Sequence, residues 1–290
     1  MIRVLAMLLL LLGCSPEGVP SSDTAIIRPD WKGSHFSQVK WSPDGKQISY
    51  IKDNELWVKN LSSGKNRELL SDITKIAWID SKKILYFMSD DKVVRGILGI
   101  FDLEKEQNSI FSKSVPWSNT LAVHDQIAYL GMDERGVGTQ RLTEPKSLNE
   151  LEIPLSTGRK FMLSPRGDRI LFLESSTKKS RGILMDNVML YDIATRKVER
   201  IERLQFEVIY SYCWSSDGKF LAFAAQLPGD TQNLFIYKIG SDKEPAMLPL
   251  PDNASYMDWS PISNQIIMAT VGQPSGNEVR IINIPNELLQ

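Results

Sequence analysis

The stretch VKWSPDGKQISY, which spans residues 39–50, decides the fold of this chain. It places Pro43, Asp44 and Gly45 between two short apolar segments. Proline presets φ, aspartate can accept a hydrogen bond from the backbone two residues further on, and glycine adopts positive φ without strain. The stretch therefore predicts a tight turn between two β-strands. The neighbouring hydroxyl and carboxyl groups of Ser42 and Asp44 leave a chemical site as the alternative.

Copies of this stretch recur along the whole chain, and they argue against a chemical site. The copies begin at Trp41, Trp78, Leu121, Leu163, Trp214 and Trp259, with spacings of 37, 43, 42, 51 and 45 residues. The copy at Leu121 is the weakest. Acids recur in the turns, as Asp44, Asp80, Asp125 and Asp217. A catalytic acid is not needed once per repeat, whereas a turn-forming acid is, so we interpret these acids as turn residues.

Each copy contains segments with the character of strands. The segment after the turn is apolar on both faces, as in residues 48–51 and 220–225, which is typical of a strand buried between two sheets. A third apolar segment and a more polar fourth segment follow in several copies, as expected for a sheet whose outer edge faces solvent. Repeats of about 40 residues that consist of short strands are typical of β-propeller blades.

The sequence therefore predicts an all-β fold, a six-bladed β-propeller with four-stranded antiparallel blades over residues 25–290. The last copy lacks a fourth strand, because only residues 285–290 remain after its third. Residues 25–28 resemble the missing strand. We expect them to pair with the last blade and close the ring, which leaves no open sheet edge.

The N-terminus has the pattern of an export signal. Residues 1–14 read MIRVLAMLLLLLGC, with Arg3 before an apolar run at residues 4–12. A membrane-spanning helix needs about 20 apolar residues, so this run is too short to span a bilayer and fits a signal peptide. Residues 15–24, SPEGVPSSDT, are rich in serine, proline and glycine and predict a flexible tether.

Residues 11–14, Leu-Leu-Gly-Cys, resemble the lipobox of bacterial lipoproteins. This resemblance implies that Cys14 becomes the first residue of the mature chain and carries the lipid that holds the protein on the membrane. Several acyl chains on one residue anchor a protein stably. Ser15, in place of an aspartate, resembles outer-membrane lipoproteins and implies a location facing the periplasm. The alternative is an ordinary cleaved secretory peptide that contains Cys14.

The repeats resemble the WD-like propeller repeats of the TolB family of periplasmic proteins. Four of the copies begin with tryptophan, and together the copies span the whole domain that follows the tether. Similar repeats form the propeller of prolyl-oligopeptidase relatives. The resemblance to the TolB family implies that the partners are envelope proteins or peptides, bound on the loop face of the propeller or in its central channel.

Composition restricts the possible partners. The net charge is −1 and the pI is about 6.2, so no broad positive field attracts nucleic acid, and a nucleic-acid partner is not expected. Two cysteines, Cys14 and Cys213, and two histidines, His35 and His124, are too few for an ordinary zinc site. We therefore predict neither a metal nor a cofactor, and we interpret Cys213 as a packed core thiol.

The sequence predicts no catalytic residue. Serine hydrolases of the prolyl-oligopeptidase type need a G-x-S-x-G pentapeptide in an α/β-hydrolase domain. The sequence contains no such pentapeptide, and the repeats leave no room for that domain. Neither histidine has a metal-ligand spacing to another histidine or cysteine. His124 precedes Asp125 where two strands turn, and we interpret it as a solvated turn residue.

The longer connections between strands are the candidate binding elements, because rigid scaffolds present binding residues on variable loops. We predict such loops at residues 131–140, 175–186, 226–232 and 272–277, with aromatic residues between blades on the same face. The candidate binding residues are Trp31, Trp117, Arg135, Lys178, Lys179, Arg181, Phe206 and Tyr256. Aromatic and arginine side chains often anchor protein interfaces. The alternative is that the aromatics pack over the seams between blades and the lysines are merely solvated.

These patterns predict a non-catalytic, lipid-anchored envelope protein whose propeller is a binding platform for proteins or peptides. Two alternatives stay open. A propeller enzyme, such as a hydrolase or lyase, would need converging acids, bases or a metal in its channel. A sensor subunit that binds a glycan or small ligand would need a deep channel lined by aromatic residues.

Replacing Cys14 with serine tests the predicted lipid anchor. We expect Cys14→Ser to release the protein from the membrane fraction, because the hydroxyl of serine cannot take the place of the lipidated thiol. Fractionation of cells into membrane and soluble material, followed by immunoblotting, measures the change. Continued association of the variant with membranes would contradict the lipoprotein prediction.

Overall fold

The computed structural model describes residues 24–27, 35–89, 95–116, 120–132, 136–142, 148–151, 161–180, 183–250, 253–271 and 277–290. These residues form six four-stranded antiparallel sheets, each built from consecutive strands except the last. The predicted six-bladed β-propeller is therefore confirmed. Within the described ranges, no helix is long and apolar enough to cross a membrane.

The first three blades follow one another in chain order. Blade one contains β2 (Phe36–Trp41), β3 (Gln47–Lys52), β4 (Glu55–Asn60) and β5 (Asn66–Leu70). Blade two contains β6 (Ile73–Trp78), β7 (Lys83–Ser89), β8 (Arg95–Asp102) and β9 (Gln107–Pro116). Blade three contains β10 (Leu121–His124), β11 (Ile127–Met132), β12 (Gly136–Arg141) and β13 (Leu148–Leu151).

The other three blades complete the ring. Blade four contains β14 (Phe161–Leu163), β15 (Arg169–Ser180), β16 (Ile183–Asp192) and β17 (Lys197–Phe206). Blade five contains β18 (Val208–Trp214), β19 (Phe220–Gln226), β20 (Gln232–Lys238) and β21 (Ala246–Pro249). Blade six contains β22 (Asn253–Trp259), β23 (Gln265–Val271), β24 (Glu278–Asn283) and, as its outer strand, β1 (Thr24–Ile27). A short 3₁₀ turn at Asn286–Leu289 follows β24.

The first and last described strands meet in blade six, as the sequence predicts. β1 pairs antiparallel with β24, and Thr24 lies opposite Ile281 while Ile27 lies opposite Val279. The observed strand begins one residue earlier than the predicted segment at 25–28. This pairing gives blade six its fourth strand and joins the N-terminal and C-terminal parts of the ring by backbone hydrogen bonds.

The turn of the opening stretch has the geometry that its residues predict. The Ser42 hydroxyl donates to the Asp44 carboxylate over 2.7 Å, and the backbone N–H of Gln47 donates to Ser42 Oγ over 2.9 Å. Gly45 has a φ of 68°, which glycine adopts without strain. Partial burial acts to raise the pKa of Asp44, but hydrogen bonds from Ser42 and Lys46 outweigh it and lower the pKa. Asp44 is therefore a structural acid.

Blade three departs from this turn, and the predicted start of its copy at Leu121 is wrong by three residues. In the other five blades the first residue of the copy, a tryptophan or Leu163, ends the inner strand and pairs near the start of the next strand, as Trp41 does with Ile48. In blade three that place belongs to His124, which pairs with Ile127. Only Asp125 and Gln126 lie between them, with φ of 46° and 62°. Such a two-residue turn with positive φ suits a tight hairpin.

The core of the molecule consists of six apolar clusters, one at each seam between neighbouring blades. β19 shows how this arises. Its residues Leu221, Phe223 and Ala225 enter the seam with blade four, while Ala222 and Ala224 enter the seam with blade six. Each fully buried large apolar side chain contributes about 1.5–3 kcal/mol to folding. The two-sided apolar character of these strands is thus what joins the blades.

Polar side chains also connect neighbouring blades, by hydrogen bonds to backbone groups of the next inner strand. Gln232 of blade five accepts from the backbone N–H of Ala254 in blade six over 2.7 Å and donates to its carbonyl over 2.9 Å. Asp258 accepts from the N–H of Trp41, and Gln38 accepts from the N–H of Ile76. Each inner strand is the edge strand of its sheet, and these contacts supply partners to backbone groups on its unpaired side.

The predicted loop at residues 175–186 of blade four is largely sheet. β15 continues to Ser180 and β16 starts at Ile183, and Lys179 lies opposite Leu184 near the end of the hairpin. Lys178 and Lys179 therefore lie on a strand and not in a loop. Residues 174–180 are polar and resemble a loop in composition, yet they form part of an extended hairpin. Threonine is frequent in strands, and serine is tolerated there.

Gln232 offers a test of the contacts between blades. We expect Gln232→Ala to lower the free energy of unfolding by about 2–4 kcal/mol, because it leaves the buried N–H and C=O of Ala254 without their partners. Gln265→Ala is the matched control, since Gln265 bonds Asn283 near the surface, and it should cost about 1 kcal/mol or less. Urea unfolding measures both. Equal losses would show that Gln232 does not hold the two blades together.

Candidate binding site in the central channel

The inner strands of all six blades surround a central cavity of about 490 Å³. Each inner strand is the free edge strand of its sheet, and six such edges surround the axis, so the cavity wall follows directly from the fold. The wall is rich in aromatic residues, namely Trp41, Trp78, Phe161, Tyr210, Tyr212, Trp214, Tyr256 and Trp259. A volume of this size lies within the usual range of about 300–1,000 Å³ for ligand pockets.

The last residues of the six inner strands form a ring that we call the collar. Its members are Trp41, Trp78, His124, Leu163, Trp214 and Trp259, and all of them line the cavity. Trp41, Trp214 and Trp259 are each 6% exposed, because their rings also pack into the seams. The Trp214 indole N–H donates to the Met162 carbonyl across a seam over 3.3 Å. The collar therefore both seals the blades and shapes the channel.

The acidic and basic side chains among the described residues of the cavity wall are Lys40, Asp258 and His124. Lys40 Nζ lies 2.9 Å from Asp258 Oδ1, and the two side chains are 27% and 20% exposed. The second oxygen of Asp258 accepts the Trp41 N–H over 2.8 Å. His124 Nε2 lies 3.2 Å from the carboxylate of Asp125, outside the cavity wall. The wall thus carries one internal ion pair within a mostly apolar surface.

Bulges in the inner strands set which side chains enter the channel. The register of β2 shifts between Ser37 and Val39, and that of β18 shifts between Ile209 and Ser211. The extra residues are Gln38 and Tyr210, and both line the cavity. A bulge re-aims the side chain of the extra residue. Sequence analysis missed both positions, because no local pattern distinguishes them from the rest of the strand.

Cys213 is buried behind the channel wall, as predicted for a core thiol. Burial raises the pKa of the Cys213 thiol, and the Asp258 carboxylate acts in the same direction. The thiolate is the reactive form of cysteine. Cys213 therefore packs in the seam between blades five and six and does not act as a nucleophile.

The predicted binding residues have different outcomes. Tyr256 lies on the inner strand β22 and lines the cavity. The sequence pattern instead predicts that it lies in a connection between blades. The prediction of Phe206 as an exposed binding residue is wrong. It ends β17, is 1% exposed, and packs against Phe223 and Phe235. Five predicted residues lie outside the described part of the chain, namely Cys14, Trp31, Trp117, Arg135 and Arg181.

The burial of Phe206 has a structural cause. The pairing of β17 with β16 breaks between Arg200 and Gln205, so the intervening residues leave the regular ladder. Leu204 and Phe206 then insert into the seam with blade five. The alternative that aromatics between blades pack over seams is thus correct for this residue.

The described residues contain no group of three or more His, Cys, Asp or Glu side chains that could hold a metal ion. The arrangement that they do provide is a rigid aromatic wall with one polar pair. Such a wall can desolvate a ligand, stack against flat groups and offer a few directional hydrogen bonds. The recurring tryptophan was the signal in the sequence that could have located this wall. It marks the inner strand of each blade that contains it, and in the structure it also lines the channel.

Comparison with known proteins supports the fold. The family model described as the dipeptidyl peptidase IV (DPP IV) N-terminal region matches residues 21–77, which include β1 and blade one. No curated protein sequence matches the chain.

Solved structures of similar fold include proteins with different roles. TolB from Acinetobacter baumannii is 17% identical, with a TM-score of 0.62 over 88% of this chain and 65% of TolB. The Cps50 (Swd1) β-propeller domain of Myceliophteria thermophila is 11% identical, with a TM-score of 0.59 over 87% of this chain and 100% of that domain. An oligogalacturonate lyase in complex with manganese is 10% identical, with a TM-score of 0.59 over 87% and 77%. The predicted similarity to TolB is confirmed for the fold, and the neighbours include both enzymes and non-enzymes.

The contact between His124 and the next blade can be tested with two glycines. Gly167 and Gly240 both have positive φ, a conformation that costs alanine about 1–2 kcal/mol. A Cβ at Gly167 would also overlap the His124 imidazole, whereas a Cβ at Gly240 would meet open space. We expect Gly167→Ala to lower the free energy of unfolding by at least about 1 kcal/mol more than Gly240→Ala. The excess should vanish in a His124→Ala background in urea unfolding. If the larger loss of stability for Gly167→Ala persisted without the His124 side chain, His124 would not be in contact with Gly167.

Proposed function

We propose that the protein is a non-catalytic, lipid-anchored protein of the cell envelope that binds a peptide segment of a partner protein in its central channel. The observation that carries this proposal is the wall of the channel, to which all six inner strands contribute residues and five of them contribute aromatic side chains. Aromatic side chains in a desolvated concave site are the usual anchors of protein recognition.

The rigidity of the wall supports a binding role. The collar residues are held by seam packing, and the polar wall residues are held by hydrogen bonds to neighbouring blades, as Asp258 is to Trp41. A site that is already in its bound geometry loses little conformational entropy when a ligand enters. The same inner strands form the core seams, so the site cannot rearrange without disturbing the fold.

The similarity to TolB supports a protein partner in general terms. This chain spans 65% of the length of that TolB, at 17% identity, so the likeness concerns the propeller alone. A channel that encloses its ligand suits a narrow, extended segment better than a folded surface.

The proposed anchor would keep the propeller close to the membrane. Lipid on Cys14 would be joined to β1 through residues 15–23, and nine extended residues reach at most about 30 Å. Ser15 favours the outer membrane, with the propeller in the periplasm. A binding protein at this location would meet other envelope proteins at high local concentration.

Site-specific photocrosslinking in intact cells tests the proposal. We expect a photoreactive amino acid in place of Tyr256, on the channel wall, to capture one defined envelope protein. The control is the same photoreactive amino acid in place of Met247, which is 52% exposed on the outer strand β21 and should capture no such partner. Mass spectrometry of the crosslinked products identifies the partner and the crosslinked peptide.

Two outcomes of this experiment would contradict the proposal. Capture of the same protein from Met247 but not from Tyr256 would place the binding surface on the rim of the disc. Absence of any captured protein, together with turnover of a substrate by the purified chain, would replace the binding role with an enzymatic one.

A further inference from the structure

Tyr210 is the feature of the channel that the fold itself does not explain. Four inner strands contain a bulge at a corresponding place, at Gln38, Thr74, Tyr210 and Ser255. In three of them the extra residue bonds the backbone of the sheet or of the next blade. Thr74 donates to the Phe87 carbonyl over 3.3 Å, and Ser255 donates to the Ala269 carbonyl over 3.2 Å. Gln38 accepts from the backbone of β6.

Tyr210 instead presents a large ring to the cavity. Its side chain is 45% exposed, and among the exposed large apolar side chains of the described residues it alone lines the channel. The others, Ile110, Val198, Met247 and Ile262, lie on outer strands or in a turn. An exposed ring inside a concave site has no packing role to explain it, and it is available to stack against a ligand.

The ring of Tyr210 is held in place by a short chain of hydrogen bonds. Its hydroxyl donates to Gln226 Oε1 over 2.9 Å, and the Gln226 amide donates to the Asp230 carbonyl over 2.7 Å. Because the phenol is bonded to the second strand of its own blade, the ring is held in position at the cavity wall. A rigid aromatic residue gives contact area at low cost in side-chain entropy.

The charge of the wall restricts what can stack there. Lys40 and Asp258 neutralise each other, so a charged group that enters the apolar channel finds no unbalanced counter-charge among the described wall residues to replace its lost hydration. The partly exposed ammonium and carboxylate nevertheless lie side by side. Together they offer a donor next to an acceptor, which matches the carbonyl and N–H groups of a peptide bond.

We infer that Tyr210 is the specificity-determining residue of the channel, and that it stacks on an aromatic or proline side chain of an uncharged peptide segment whose backbone contacts the Lys40–Asp258 pair. This inference rests on the proposed function, because it names the class of peptide that the same channel selects.

A peptide library tests the inference. The full chain, purified in mild detergent, is used to select from a random library of peptides with acetylated and amidated ends, and the affinity of the best binders is measured by fluorescence anisotropy. We expect selected peptides that are uncharged at their core and contain an aromatic residue or proline. Replacing a core residue of such a peptide by aspartate or lysine should weaken binding at least tenfold.

Matched variants separate the role of the ring from a general effect on the fold. Tyr210→Ala should weaken binding at least tenfold, whereas Tyr210→Phe, which keeps the ring, should stay within about threefold of the parent. Met247→Ala, a change of an equally exposed apolar side chain on an outer strand, should leave binding unchanged. The urea midpoint of Tyr210→Ala should equal that of the parent, since the side chain is half exposed.

The other outcomes each overturn a defined part of the argument. Selected peptides that carry a charged core, or that bind Tyr210→Ala as well as the parent, would overturn the role of Tyr210 and leave the channel as a peptide site. A library that yields no binder, together with binding of neutral oligosaccharides on a glycan array, would overturn the peptide function itself. Failure of both probes would overturn both proposals.

Discussion

The structure depends on one constraint, which is that the second strand of every blade must be apolar on both faces. A sheet in a two-layer fold buries one face, but a blade is covered by a neighbour on each side. The alternation of β19 between the seams with blades four and six shows this directly. Because the core is divided into six seams, no blade is stable alone, and the ring must close. The pairing of β1 with β24 meets that requirement in blade six.

The candidate binding site is a consequence of the same constraint. An inner strand packs side chains into the seams on both of its sides, as β18 does with Trp214 and Cys213, and its free edge faces the axis. Six such edges enclose the channel. Trp41 and Trp214 illustrate the overlap, since each packs into a seam and also lines the cavity. The residues that specify the fold are therefore also residues of the channel wall. Binding specificity has to come from the few wall positions that the seams do not use, of which Tyr210 is the most exposed aromatic.

The sequence predicts those parts of the structure that depend on local patterns. The repeat, the turn at Ser42 and Asp44 and the closing strand follow from strand periodicity and turn chemistry, which a few consecutive residues determine. The contribution of His124 to the channel wall was missed because a two-residue turn replaces the usual one and displaces the copy. The bulges and the burial of Phe206 were missed because both depend on how two strands share hydrogen bonds. The pairing of two strands depends on residues that are far apart in sequence, so no short motif predicts it.

Asp258 connects the stability of the ring to the chemistry of the channel. One of its oxygens accepts the backbone N–H of Trp41, and the other pairs with Lys40. It therefore joins blade six, which contains the first and last described strands, to blade one. A ligand that bonds this pair contacts the same groups that hold the two blades together. Because any ligand that binds only the folded state stabilises that state, occupancy of the channel would strengthen the junction between blades six and one. In this propeller the candidate ligand site and the junction next to the closing blade share one carboxylate.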